Sequence, residues 1–295
     1  MLPHSLYEDL KKLLAQQFNK PINTLQFQAI GGGSINQTYK ITFSNTHTLF
    51  CKINQAATFP KLFLKEKQGL EALKKTGTIK TPNVIAYAVL DDYQILLLEW
   101  IESGRTSTEF FKLFGEQLAA LHQNMAATFG WETDNYMGSV PQQNAFEKTW
   151  TTFFIEQRIE PLIQKCRSKN LLNETEHAHF KKLYNRLPQL FDDNEKPALL
   201  HGDLWSGNFM CAQNGVTVLI DPAVYYGHRC TDIAMTTLFG GFDKAFYESY
   251  NHHFPLPTNY KEQLKVCNLY PLLIHLLLFG KSYLTSIQQT LKLFQ

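Results

Sequence analysis

The stretch HGDLWSGNFMCAQNGVTVLID, His201 to Asp221, leaves few folds open. Its second half is a hairpin. NFMCA and VTVLID read as strands, and Asn214-Gly215 between them favours a tight β-turn. The return strand is expected to carry Asp221 back beside Asn208. The first half is a loop in which Asp203 and Asn208 stand five residues apart. A core strand would not hold His201, Asp203, Ser206 and two glycines, and a solvated turn has little use for Trp205. Three polar side chains, Asp203, Asn208 and Asp221, are therefore expected to converge.

That trio suits one chemistry. Mg2+ takes hard oxygen ligands, keeps several waters and needs one or two protein groups alongside phosphates. Asn208 and Asp221 fit as its ligands. Asp203, beside the metal and not bound to it, can accept a hydroxyl proton as the attacking oxygen forms its bond. This is phosphoryl transfer to an alcohol, where positioning and charge neutralisation carry catalysis.

The preceding sequence supplies a nucleotide site. Residues 5–18 form an amphipathic helix. Residues 25–54 alternate apolar and polar side chains and read as three strands, broken at Gly31-Gly32-Gly33 and at SNTH. A helix follows between Pro60 and Gly77, then two strands with a turn at Asp91-Asp92. Backbone N–H groups of Gly32, Gly33 and Ser34 can approach phosphates. Lys52, ending the third strand, can point at the same phosphates, with Glu66 on the helix to hold it. The backbone of Glu99, Trp100 and Ile101 can bond an adenine edge. After Trp100 the period changes to 3.6. Helices are expected over the EFFKLFGEQLAALHQN segment, 147–166, 174–187, 230–238, 243–253 and 260–293, the last with a break near Pro271. The chain thus divides into a small antiparallel-sheet domain, 1–100, and a mostly helical domain, 101–295, that contains the hairpin.

Composition limits the partners. Hydrophobic residues make up 44% and aromatics 13%, which argues against disorder. The net charge of +2 provides no field for nucleic acid or anionic lipid. Five cysteines, odd in number and without a C-x-x-C pair, suit reduced thiols, neither a disulfide frame nor a zinc site. MLPHSLYEDLKKLL carries charges within its apolar pattern, unlike a signal peptide, and LLIHLLLFG is too short to span a bilayer. The expectation is a cytoplasmic monomer without nucleic-acid or membrane partners.

Each residue alone has an ordinary reading. The glycine run is a loop, Lys52 a solvated strand end, Glu66 a solvated helix residue, Trp205 and His201 core residues, and Asp221 a turn cap. Their order gives them weight: Gly loop, strand Lys, helix Glu, linker, H-x-D-x-x-x-x-N, hairpin, I-D.

With LLHGDLWSGN followed by IDPAVYYGH, the chain resembles the fructosamine kinase (ketosamine 3-kinase) family, within the protein-kinase-like and aminoglycoside-phosphotransferase-like folds. GGFDKAFYESY, CKIN, GLEALKKTG and GWETDNYMGSVPQQN also fit. The HGD motif alone is shared with choline and aminoglycoside kinases; the LWSGN and YYGH extensions narrow it. The resemblance implies an α+β, bilobal kinase fold and ATP-dependent phosphorylation of the 3-hydroxyl of a ketosamine, a sugar adduct on an amine. The product is unstable and releases the amine, a deglycation repair. It implies Asp203 as base, Asn208 and Asp221 as Mg2+ ligands, Lys52 with Glu66 on phosphate, and Glu99-Trp100-Ile101 at adenine. His201, Trp205, His228, Asp134 and Tyr136 fall where the sugar should lie. Two positions depart from many or some relatives: Cys230 stands near an expected acidic residue, and Ser34 replaces a glycine-loop cysteine. The competing readings are an aminoglycoside or choline-like kinase of the same fold, which should show a more acidic substrate face, and a pseudokinase, which should lack Lys52, Asp203, Asn208 or Asp221.

Overall fold

The alternation seen before residue 100 becomes a five-stranded antiparallel sheet. Its strands are β1 (Gln26–Ala29), β2 (Gln37–Phe43), β3 (His47–Gln55), β4 (Val84–Leu90) and β5 (Tyr93–Glu99), in the order β1-β2-β3-β5-β4. Period-2 alternation splits β3 between two faces. Cys51 and Ile53 join Ile41, Phe43, Ile95 and Leu97 in a cluster closed by Leu6, Leu10 and Leu14 of helix α1 (His4–Phe18). Lys52 therefore faces the other side, where helix α2 (Leu62–Lys75) packs on β4 and β5. The computed structural model describes residues 3–31, 35–44 and 47–294. Gly32, Gly33 and Ser34 lie outside the described residues.

The chain forms two compact units, Met1–Arg105 with Met210–Asp221, and Thr106–Phe209 with Pro222–Gln295. The hairpin, with strands Phe209–Cys211 and Thr217–Leu219, was expected in the second domain, but nearly all of it groups with the first unit. Ala212 and Val218 pack with Ile101. Leu219 donates its N–H to the Lys80 carbonyl at 2.9 Å, and Gln213 donates to Glu102 at 2.8 Å.

The second unit is mostly helical. Helix α3 (Thr108–His122) starts at Ser107, whose hydroxyl accepts the Phe110 N–H, and packs on the helix Lys244–His253. Gly115 permits that approach: a Cβ there would run into the Phe246 carbonyl. The segment expected as 147–166 contains a π-turn, Phe154–Ile159. The long terminal segment breaks at Asn268 and again at Gly280, giving Tyr260–Cys267, Leu269–Phe279 and Leu284–Lys292. Pro271 breaks nothing, because it sits in the first turn of its helix, where its missing N–H has no intrahelical role. Two short strand pairs escape the sequence pattern, Asn135–Met137 with Val140–Gln142 and Ala198–Leu200 with Tyr225–Gly227. No helix among the described residues is long and apolar enough to cross a membrane.

Candidate active site

In the first unit, Lys52 sits between two carboxylates. Its Nζ lies 2.7 Å from Glu66 Oε1 and 2.5 Å from Asp221 Oδ1. Lys52 and Glu66 are buried, whereas the Asp221 side chain is 45% exposed. Burial alone would depress the ammonium, but the Asp221 and Glu66 charges hold it above the ordinary lysine value. One ammonium cannot neutralise two carboxylates. The enclosed Glu66 bears the excess: burial pushes it upward, against Lys52 and with Asp221. Asp221 has φ 55° directly before Pro222, a left-handed backbone that L residues adopt rarely. Such strain persists where the surroundings over-determine the residue, and here Lys52 pins its side chain. The other oxygen, Oδ2, is a hard donor that could take a metal.

Beyond β5 the backbone is only partly available to a base. The Glu99 N–H already donates to the Asn83 carbonyl at 2.9 Å. Of the Glu99 backbone, the carbonyl is the group left for an adenine edge. The Glu99 carboxylate accepts from Lys80 and Asn83. Trp100 donates its indole N–H to Glu102 at 2.7 Å and lies under the Lys40 ammonium at 4.4 Å. Ile101 is buried against the hairpin.

In the second unit, the Asp203 loop is closed by its own hydrogen bonds. Asn208 Nδ2 donates to Asp203 Oδ2 at 2.9 Å and to its carbonyl at 2.7 Å. This leaves Asn208 Oδ1 as a donor to a hard cation. Trp205 N–H donates to the Asp203 carbonyl, and Asn208 N–H to the Trp205 carbonyl. Gly202 has φ 84°, and a Cβ there would run into the Ala223 carbonyl, so glycine is required at this turn. Among the described residues no group of three or more His, Cys, Asp or Glu side chains could hold a metal.

The loop is anchored from beneath by Asp232. Its Oδ2 accepts the His201 N–H at 2.7 Å, and its Oδ1 accepts the Gly202 N–H at 2.9 Å. His122 Nε2 lies 3.2 Å from Oδ2, and His122 Nδ1 lies 2.8 Å from the Tyr250 hydroxyl. The available signal was an acid inside the apolar run CTDIAM, a placement that is costly unless the charge is used.

Two of the expected sugar-binding residues are corrected. His201 and His228 are 0% and 1% exposed. Rings so enclosed do not present themselves to a sugar. His201 Nδ1 accepts the Asp203 N–H, while His228 packs on Trp150 and Phe191 beside Glu195. Asp134 is exposed, and its carboxylate accepts the Asn144 N–H at 2.9 Å. Tyr136 is half-buried in the strand Asn135–Met137. Around them GWETDNYMGSVPQQN forms a brace. Asn135 and Gln142 donate to the Val224 and Ala223 carbonyls, and buried Arg158 bonds Asn144 and Gln143. Cys230 is fully buried and donates its thiol to Gln263, so this position belongs to the core.

Glu195 gives a pH prediction. Burial would raise its carboxyl, but His228 and Arg229, the latter at 2.7 Å, bring it down to about 2. A depressed acid contributes stability above its unfolded value and loses it as pH falls through the folded value. Acidification from about 4.5 to about 2 should remove on the order of 3 kcal/mol through this group. Glu195→Gln should flatten that part of the unfolding curve; an unchanged acid limb would show that the pair contributes nothing.

Comparison with known proteins places these features among related chains. The sequence model of the fructosamine kinase family matches residues 6–294. A probable ketoamine kinase of Synechocystis is 37% identical over 290 residues, covering 97% of this chain and 96% of that protein. The crystal structure of a Haemophilus somnus protein provisionally named fructosamine-3-kinase superposes with TM-score 0.87 at 29% identity, covering 98% of this chain and 99% of the other. A solved amicoumacin kinase, in complex with AMP-PNP, Ca2+ and Ami, shares the fold with TM-score 0.59 at 13% identity, covering 97% of this chain and 92% of the other.

Proposed function

The chain belongs to the fructosamine kinase family and is a phosphotransferase of the protein-kinase-like fold, and from that premise we propose that it phosphorylates the 3-hydroxyl of ketosamines with ATP. The observation that carries the reading is the Asp203 carboxylate, held at 2.9 Å by Asn208 in a loop that also presents Trp205. Asp203 takes the hydroxyl proton as the substrate oxygen bonds to the γ-phosphorus and the bond to the β–γ bridging oxygen breaks, releasing ADP. Lys52, held by Glu66, grips phosphate. Asn208 and Asp221 would hold Mg2+, which would supply positive charge to neutralise that building on the phosphoryl oxygens. The Glu99 carbonyl and the Ile101 N–H take the adenine edge, with Trp100 between them, and the backbone of Gly32, Gly33 and Ser34 takes the phosphates. Trp205 covers the apolar side of the sugar.

Within the same proposal, the acceptor is free or protein-bound ketosamine, and the activity is deglycation. The chain works as a monomer in the cytoplasm, without nucleic acid or membrane. A charge of +2 and five buried free thiols support this setting.

The test is product formation from ATP and Mg2+ with erythrulosamine, ribulosamine and fructosamine adducts of lysine, using an aminoglycoside and choline as controls. Transfer to a control and to none of the ketosamines would remove the substrate assignment. Lys52→Ala should lower kcat more than it raises the KM for ATP, because its charge matters most as phosphate transfers. An unaltered variant would return Lys52 to a purely structural role.

A further inference from the structure

Next to the Asp203 loop, within the second unit, lies a pocket walled by rings. Trp205, Phe239, His275, Phe279 and Tyr283 line a cavity of about 270 Å3. Trp205 meets Phe239 edge-on at 6.0 Å, and Phe239 lies 4.7 Å from His275. His275 is in turn 5.4 Å from Phe279 and 5.1 Å from Tyr283. The rings come from three separate stretches of chain, yet Phe239 and Phe279 remain 39% and 57% exposed. Large apolar rings clustered in the open mark binding surfaces. Phe239 also holds φ 53°, a strained backbone for a bulky residue that the fold maintains here. Burial keeps the His275 imidazole below its ordinary range, and its Nδ1 lies 2.7 Å from the Pro271 carbonyl. The ring is therefore neutral near pH 7, and none of the five lining side chains brings a charge.

We propose that this aromatic cage binds the amine end of the acceptor, namely its secondary ammonium and the adjoining alkyl carbons. The inference rests on the ketosamine kinase reading and adds the part of the substrate that the cage selects. Beyond Trp205, which borders the sugar, the remaining rings offer faces that attract a cation and cover methylenes, whereas the rest of the polyol brings a hydroxyl on nearly every carbon and needs a partner for each. Spacing agrees. In a ketosamine the reacting 3-hydroxyl oxygen is four bonds from the nitrogen. Asp203, whose carboxylate meets that hydroxyl, is two residues from Trp205, and its backbone carbonyl accepts the Trp205 backbone N–H at 3.2 Å. A hydroxyl at Asp203 thus leaves the nitrogen within reach of the Trp205 wall.

Steady-state kinetics on two acceptors with the same sugar tests the cage. One is the ketosamine of a lysine side chain; the other is the ether in which oxygen replaces the nitrogen and the charge is absent. The native chain should show a KM about tenfold lower for the amine. Phe279→Ala should raise the amine KM about tenfold, raise the ether KM by clearly less, since only the alkyl contact is lost there, and leave the ATP KM unchanged. Phe279→Tyr should keep the native amine KM. Equal KM values for amine and ether, or a Phe279→Ala loss shared equally by both, would overturn the cage while leaving the ketosamine reading intact. A native chain that phosphorylates no ketosamine would overturn both.

Discussion

Asp203→Asn should lower kcat by roughly 10²–10⁴-fold and leave the KM for ATP unchanged. The amide keeps the shape and cannot take the hydroxyl proton. What remains comes from positioning and charge neutralisation, which this substitution leaves in place. Asp221→Ala should abolish turnover, with a different signature. It removes a proposed Mg2+ ligand and one partner of Lys52, so magnesium-dependent nucleotide binding should be lost as well. Steady-state kinetics and nucleotide titration with and without Mg2+ separate the two variants. Near-normal turnover of Asp203→Asn would take Asp203 out of the chemistry.

Asp232→Ala should produce the largest loss of stability among these substitutions. It strips the partner from the buried N–H groups of His201 and Gly202 and from His122. Each buried donor left unsatisfied costs about 1–3 kcal/mol. The two backbone groups alone therefore imply roughly 2–6 kcal/mol. Turnover should fall even where the variant is fully folded, because Asp203 follows Gly202 directly and its aim depends on that anchor. Asp232→Asn keeps one accepting oxygen and should recover part of both losses. Thermal unfolding together with kcat measured well below the transition checks this. An Asp232→Ala chain with native melting would mean that the loop holds its shape without the carboxylate.

Much of the first unit was legible because its elements are long enough to show a period. The alternation of β2 and the unbroken apolar run Ile95–Leu98 of β5 exceed chance, as does Leu6-Leu10-Leu14 along α1. The three-residue strands around residues 135–142 and 198–227 carry no period and are set by partners distant in sequence. The pairing of Lys52 with Glu66 was readable from strand and helix order. Its second partner, Asp221, lies 169 residues away. His201 and His228 were placed at the sugar by the family resemblance, and local sequence does not report burial. The cage was invisible for the opposite reason. Phe239, Phe279 and Tyr283 look like ordinary apolar helix residues until folding sets them beside Trp205.

The first unit is not a contiguous piece of chain: it needs Met210–Asp221 after residues 106–209 have intervened. This has a consequence for biosynthesis. A nascent chain ending before the hairpin has made every strand of the five-stranded sheet, but Ile101 still lacks Val218 and Lys52 still lacks Asp221. Lys52, the proposed phosphate grip, therefore reaches its final setting only after the proposed base, Asp203, has been synthesised. A ribosome-bound fragment stopped short of the hairpin should not acquire nucleotide binding early, which keeps half-made chains from holding ATP.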